Sequence, residues 1–260
     1  MKELANLLYA ELLKFKRKRL FTFGILSAFI FPIFNAMLLS DSDFADIQSG
    51  VREDNAFLIL MPLLILLATN LFFTEQDNHT LKNLLCIPIS KKKLVLIKLL
   101  VLLIFSIAFQ ITGFFVSILF VVSQNIPVTK LLFQFCLTAS TGLLMWSASL
   151  PCIVLVVWFD KNYILSVIMV FFYTLINYAM HFSDLIMMRP LGLNAGTLMP
   201  VPIIFRWLYQ FYTPAGVIQT TFYQRLSNYF VSTPICFSVV LLEAMICIIC
   251  IIQIYDKREY

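Results

Sequence analysis

The chain has 260 residues, of which 61% are apolar and only 13% charged, and its mean hydropathy is +0.91. Such values far exceed ordinary globular usage and put water-soluble enzymes at a disadvantage. The net charge of +5 does not argue for nucleic acid, because the basic residues fall where a membrane protein places them.

Six long apolar stretches, at about 20–40, 56–74, 94–122, 131–158, 163–182 and 233–254, are separated by polar punctuation. Each is near or above the roughly 20 residues that cross a bilayer as a helix. None alternates as membrane strands do, and backbone groups in hydrocarbon need internal partners, so the expected fold is all-α: an integral membrane six-helix bundle forming a single domain over 1–260. Lys and Arg resist translocation. With the N-terminus inside, 14 of the 19 basic residues lie on the cytoplasmic side, and the outer pieces keep Arg52, Lys130, Arg189, Arg206 and Arg225. The first outer loop is acidic, with Asp41, Asp43, Asp46, Glu53 and Asp54. Both termini are therefore expected in the cytoplasm, and the first apolar helix is expected to stay as a signal anchor because no small-residue cleavage site stands out.

From Lys2 to Arg19 the spacing of Leu4, Leu8, Leu12 and Phe15 predicts an amphipathic surface helix, with Glu11 near its apolar stripe. A plain positive-inside stop before the first span accounts for the same residues. Between the second and third spans, Thr80 can cap a short helix with Leu81, Leu84 and Leu85 on one face, Pro88 ends it, and Ser90 can cap the following membrane helix.

Glu75, Thr80-Leu81, Leu84-Leu85, Pro88-Ile89-Ser90, Lys91 and the later Lys98 resemble the first cytoplasmic loop of permeases from type 2 ATP-binding cassette exporters. His79 stands where that pattern usually has Gly. The resemblance implies that the short helix is a coupling helix, in which Glu75, Thr80, Leu81, Leu84, Leu85 and Pro88 dock on a nucleotide-binding ATPase subunit, two copies being expected. It also implies a second permease subunit, identical or related, in the bacterial plasma membrane. The N-terminal Leu-Leu-Lys-Phe-Lys-Arg run, the chain length and the Phe-rich spans are most similar to lantibiotic and bacteriocin immunity permeases. No GxxxxGK[ST] phosphate loop occurs. The chain is thus expected to hold no cofactor, with ATP and Mg carried by the partner.

The segment 181–232 combines Pro190, Pro200, Pro202 and Pro214 with many aromatic residues. It is expected to form re-entrant or interfacial helices, one of them around 203–212. Trp207, Tyr209, Phe211, Tyr212 and Tyr223 suit the headgroup region. They read either as an anchoring belt or, for Trp207, Tyr209, Phe211 and Tyr212, as outer-leaflet contacts for an amphiphilic peptide. Glu243 is an isolated acid inside the last span, where it packs as a neutral carboxyl or serves the pathway or its gate. Asn70, Gln110, Asn177 and His181 read as interhelical hydrogen-bonding groups.

Cys247 and Cys250 form a CxxC inside that span and read as small packing residues. His79 and His181 fall on opposite sides, so no two-histidine metal centre is expected, and neither HExxH nor GxSxG occurs. The expected function is an exporter permease that removes a lantibiotic, bacteriocin or bacitracin-like peptide from the membrane. The alternatives are an exporter of lipids or drugs and a non-transporting sensor or scaffold.

Overall fold

The computed structural model describes residues 2–38, 43–77, 90–159, 163–181, 183–189, 194–212 and 217–257, and these contain helices and turns but no strand. Among the described residues, five helices are long and apolar enough to span a membrane: Phe44–Phe73, Lys91–Ser123, Leu131–Trp158, Tyr163–Met180 and Thr233–Asp256.

The first helix, α1 (Lys2–Lys16), docks through Phe15, which is 1% exposed and meets Phe21 and Phe105 edge-on at centroid distances of 5.1 and 5.8 Å. Glu11 is buried despite its charge and is paired with Lys14 at 2.6 Å. The expected first span is instead two short helices, α2 (Arg19–Ser27) and α3 (Ile30–Leu38), broken at Ala28–Phe29. Pro32 causes the break, because it lacks the N–H that would return to the Ala28 carbonyl. Asn55 Nδ2 donates to that carbonyl at 3.2 Å. Gly113 makes room for the amide: a Cβ there would lie 2.5 Å from Asn55 Nδ2.

The expected acidic outer loop at 41–55 is largely helical. Phe44, Ile47 and Val51 recur at helical spacing and pack on Phe114 and Val121, so α4 (Phe44–Asp54) is held by its apolar stripe while its acids and Arg52 lie around it. A π-helical stretch, Asn55–Leu60, carries α4 without interruption into α5 (Met61–Asp77). One helical rod therefore runs from 44 to 77. The proposed coupling residues Thr80, Leu81, Leu84, Leu85 and Pro88 lie outside the described residues.

Ser90 caps α6 (Lys91–Ser123), its hydroxyl accepting from Lys93 N at 3.4 Å. α6 crosses α7 (Leu131–Trp158) at Gly142, where an added Cβ would lie 3.0 Å from Ile107 Cα. Ser106 Oγ donates to the Gly142 carbonyl at 2.6 Å and Trp146 Nε1 to the Leu99 carbonyl at 3.0 Å. Close backbone approach at a small residue, reinforced by side-chain donors, is how helices associate when lipid removes the hydrophobic drive between them.

α8 (Tyr163–Met180) lies at the periphery and turns Ile164, Phe171 and Phe172 outward. The connection to the last helix contains α9 (Asp184–Met187), α10 (Ala195–Leu198), α11 (Pro200–Leu208) and α12 (Val217–Leu226). α13 (Thr233–Asp256) buries Cys236, Val240, Ala244, Ile251 and Tyr255 and exposes Leu242, Met245 and Ile246. The end of the bundle carrying 123–131 and the short helices α9, α10, α11 and α12 is called distal below.

Two substitutions probe this packing. Gly142→Leu forces the α6–α7 backbones apart and is expected to abolish a monodisperse detergent-solubilised species on size-exclusion chromatography. Asn55→Leu leaves the Ala28 carbonyl unpaired and is expected to cost about 1–3 kcal/mol, read as a lower thermal midpoint.

Candidate functional site

The distal end holds a buried polar cluster built on α4. The face adjoining its apolar stripe carries Gln48, Ser49 and Arg52, all buried. Gln48 Nε2 donates to Ser117 Oγ of α6 at 2.5 Å, and Arg52 Nη1 donates to Gln134 Oε1 of α7 at 2.7 Å. Asn35 of α3 reaches Asp54 Oδ2 at 3.3 Å. α4 is thus bonded by side chains to three other helices.

Glu53 joins the same helix to the segment 200–212. The Tyr212 hydroxyl lies 2.5 Å from Glu53 Oε2 and 3.0 Å from the Ser49 carbonyl, and it donates within this pair of acceptors. The Tyr209 hydroxyl donates to Glu53 Oε1 at 3.3 Å. Burial, and then the Glu53 carboxylate, push both phenols well above their usual range, so each keeps the proton it donates. His181 Nε2 stands 3.8 Å from Glu53 Oε1, while its Nδ1 lies 2.6 Å from the Tyr178 carbonyl. Burial lowers the His181 imidazole below its ordinary value, opposed by that carbonyl. Its ring stacks on Phe205 at 4.3 Å, and Phe205 stacks on Phe57 at 3.9 Å. The aromatic sandwich fixes the imidazole beside the carboxylate.

Arg206 secures the far side of α11. It is fully buried, and its Nε donates to the Met187 carbonyl at 3.0 Å and its Nη2 to the Ile186 carbonyl. These carbonyls close the C-terminal turn of α9, where a cation is electrostatically favoured. α9 and α11 are thereby pinned to one another.

The residues singled out in the sequence are distributed over several places. Trp207 is 2% exposed and donates from Nε1 to Thr233 Oγ1 at 3.0 Å. Phe211 is half-buried and meets Phe133 and Trp207 at centroid distances of 5.6 and 5.4 Å. Tyr209 and Tyr212 belong to the Glu53 cluster. Glu75 falls near the end of α5, far along the rod from this cluster. Glu243 is half-buried on α13, and its Oε2 has no hydrogen-bond partner among the described residues. Lys98 is fully buried: Nζ donates to the Leu71 carbonyl at 2.8 Å and lies 5.0 and 5.9 Å from the ring centroids of Phe72 and Tyr255. Asn70 accepts from Lys18 Nζ at 2.5 Å through Oδ1, and Asn177 Nδ2 donates to the Tyr173 carbonyl at 2.8 Å.

Arg52, Glu53 and Gln134 were not among the sequence candidates. The available signal was the spacing of Phe44, Ile47 and Val51, which makes the acidic stretch a helix and brings Arg52 inside. Glu53 and Tyr212 should behave as one unit. Tyr212→Phe and Glu53→Gln are each expected to cost about 1–3 kcal/mol of stability, read as a lower thermal midpoint, and the double variant is expected to lose less than the sum. Thermal unfolding of the four proteins in one detergent checks this.

Residues 7–177 match the family described as ABC-2 family transporter protein, a region running from within α1 almost to the end of α8. None of the curated proteins matches the chain. The match covers well over half of the sequence and takes in the rod, α6, α7 and the segment that carries the loop resemblance. The chain belongs to the ABC-2 family of transporter proteins.

Proposed function

We propose that this permease extracts an amphiphilic antimicrobial peptide from the bacterial plasma membrane, in an exporter driven by a separate ATPase. The observation that carries the transporter part is the family match across residues 7–177, together with five helices, among the described residues, able to span a membrane. The peptide substrate rests on the resemblance to lantibiotic and bacteriocin immunity permeases, in the N-terminal basic run and the Phe-rich spans.

In this reading ATP and Mg belong to the partner subunit, two copies of which face two permeases. Glu75, Thr80, Leu81, Leu84, Leu85 and Pro88 receive its motion. The rod from 44 to 77 supports such a role, because it begins at the distal polar cluster and ends just before the coupling loop. Lys98 reinforces it by tying the rod to α6 and, through the Tyr255 ring, to α13. Trp207, Tyr209, Phe211 and Tyr212 then shape the side from which peptide arrives, and Glu243 lies on the route or its gate.

Co-expression of the permease with the ATPase that copurifies with it is expected to raise the inhibitory concentration of a lantibiotic several-fold. Leu84→Asp is expected to return it to the vector level while the permease still reaches the membrane. Unchanged survival across lantibiotics, bacteriocins and bacitracin overturns the peptide substrate. Glu243→Gln is expected to reduce protection without loss of ATPase copurification, and unaltered protection removes Glu243 from the pathway.

A further inference from the structure

Arg52 is a buried cation whose hydrogen-bonding capacity is mostly unused. Its residue exposure is 1%, and one terminal nitrogen, Nη1, is held by Gln134 Oε1. The other two nitrogens, Nε and Nη2, are buried and have no hydrogen-bond partner among the described residues. These two form one edge of the guanidinium, the edge whose parallel N–H groups match the two oxygens of a phosphate or carboxylate.

The neighbouring acids are occupied elsewhere. Glu53 faces Tyr209, Tyr212 and His181, and Asp54 receives the Asn35 amide. Neither makes a salt bridge with Arg52 among the described residues, although Glu53 lies near enough to act on it through space. The Ser117 hydroxyl and the Gln134 amide, which bond to Gln48 and Arg52 on this face of α4, are neutral. A buried charge left without a close counter-ion is strongly disfavoured. The site is therefore short of one oxyanion.

The surroundings indicate what would bring it. Gln134 follows Leu132 and Phe133, which are 77% and 46% exposed, and the cluster lies beside the Tyr209 and Tyr212 hydroxyls, amphipathic side chains of the kind enriched where membrane proteins meet headgroups. An oxyanion site bordered by an outward apolar surface suits a molecule with a phosphate head and an acyl body. We propose that Arg52, held in place by Gln134, is the anchor of a phosphate-binding site at the distal end, and that its ligand is the headgroup of an anionic amphiphile from the surrounding leaflet. This goes beyond the peptide reading and does not depend on it.

The test uses the permease copurified with its ATPase in a neutral maltoside detergent, titrated with dioctanoyl phosphatidylglycerol, with dioctanoylglycerol and with inorganic phosphate. The phospholipid is expected to raise the thermal midpoint by about 3 °C. Dioctanoylglycerol, which has the same chains without the phosphate, is expected to give no rise. Arg52→Gln should abolish the shift and Arg52→Lys should keep part of it. An equal rise with phospholipid and diglyceride overturns the proposal, and this comparison needs only the wild-type protein, so it stands even when the variants fail to fold. An equal phospholipid shift in wild type and Arg52→Gln also overturns it. A shift given by inorganic phosphate alone and lost in Arg52→Gln supports the oxyanion site and overturns the headgroup as its source. Unchanged survival on co-expression with the phospholipid shift intact overturns the peptide reading and supports this site independently of it.

Discussion

The hydrogen bond from the Asn55 amide to the Ala28 carbonyl is the constraint around which the N-terminal half is arranged. Pro32 frees a carbonyl in the middle of an apolar segment, where water is not available to take it. The group that satisfies it sits at the first residue of the π-helical stretch, Asn55–Leu60. A π-bulge widens the helix and changes which residues share a face, and such bulges gather at functional sites. Here the change of winding separates two jobs along one rod. Below it, α5 presents an almost wholly apolar surface to the core. Above it, α4 gathers Gln48, Ser49, Arg52 and Glu53 against α6, α7 and the segment 200–212.

The two ends of this rod are held by different chemistry. At the distal end the ties are neutral and charge-assisted hydrogen bonds among buried side chains, which are geometrically demanding and costly to leave unmade. At the other end Lys18 and Lys98 donate to groups of Asn70 and Leu71, within the last two turns of α5, where the helix dipole favours cations. Apolar packing between the ends is less directional. A displacement entering at the lysine end would thus be carried along the helix to the hydrogen-bonded end, where directional bonding admits only a few discrete arrangements.

How much of this was legible in the sequence depended on whether the signal was local. Expected boundaries at 131–158 and 163–182 agree with Leu131–Trp158 and Tyr163–Met180 to within two residues, because length, hydropathy and flanking polar residues are properties of the segment itself. The Ser90 cap was readable for the same reason. The break at Ala28–Phe29 was hidden, since Pro32 lies in an otherwise unbroken apolar run and the compensating Asn55 is far along the chain. The acidic composition of 41–55 concealed a helix whose Phe44, Ile47 and Val51 spacing was present but outweighed. Least legible was the cluster itself: Glu53 meets Tyr212 across 159 positions, and no spacing rule links residues that tertiary packing alone brings together.

Lys98 also bears on how the chain is assembled. Its ammonium is fully buried, and its acceptor, the Leu71 carbonyl, belongs to the preceding long helix. A lone lysine passing into lipid is expensive, and a nearby acceptor reduces that expense. During synthesis the rod emerges first, so α6 can enter the bilayer already facing the carbonyl that will receive its charge. The partner Tyr255 arrives only with the last helix. Closure of the bundle around Lys98 is therefore a late event in biogenesis, and a chain released before its final span would lack the Tyr255 ring beside this ammonium.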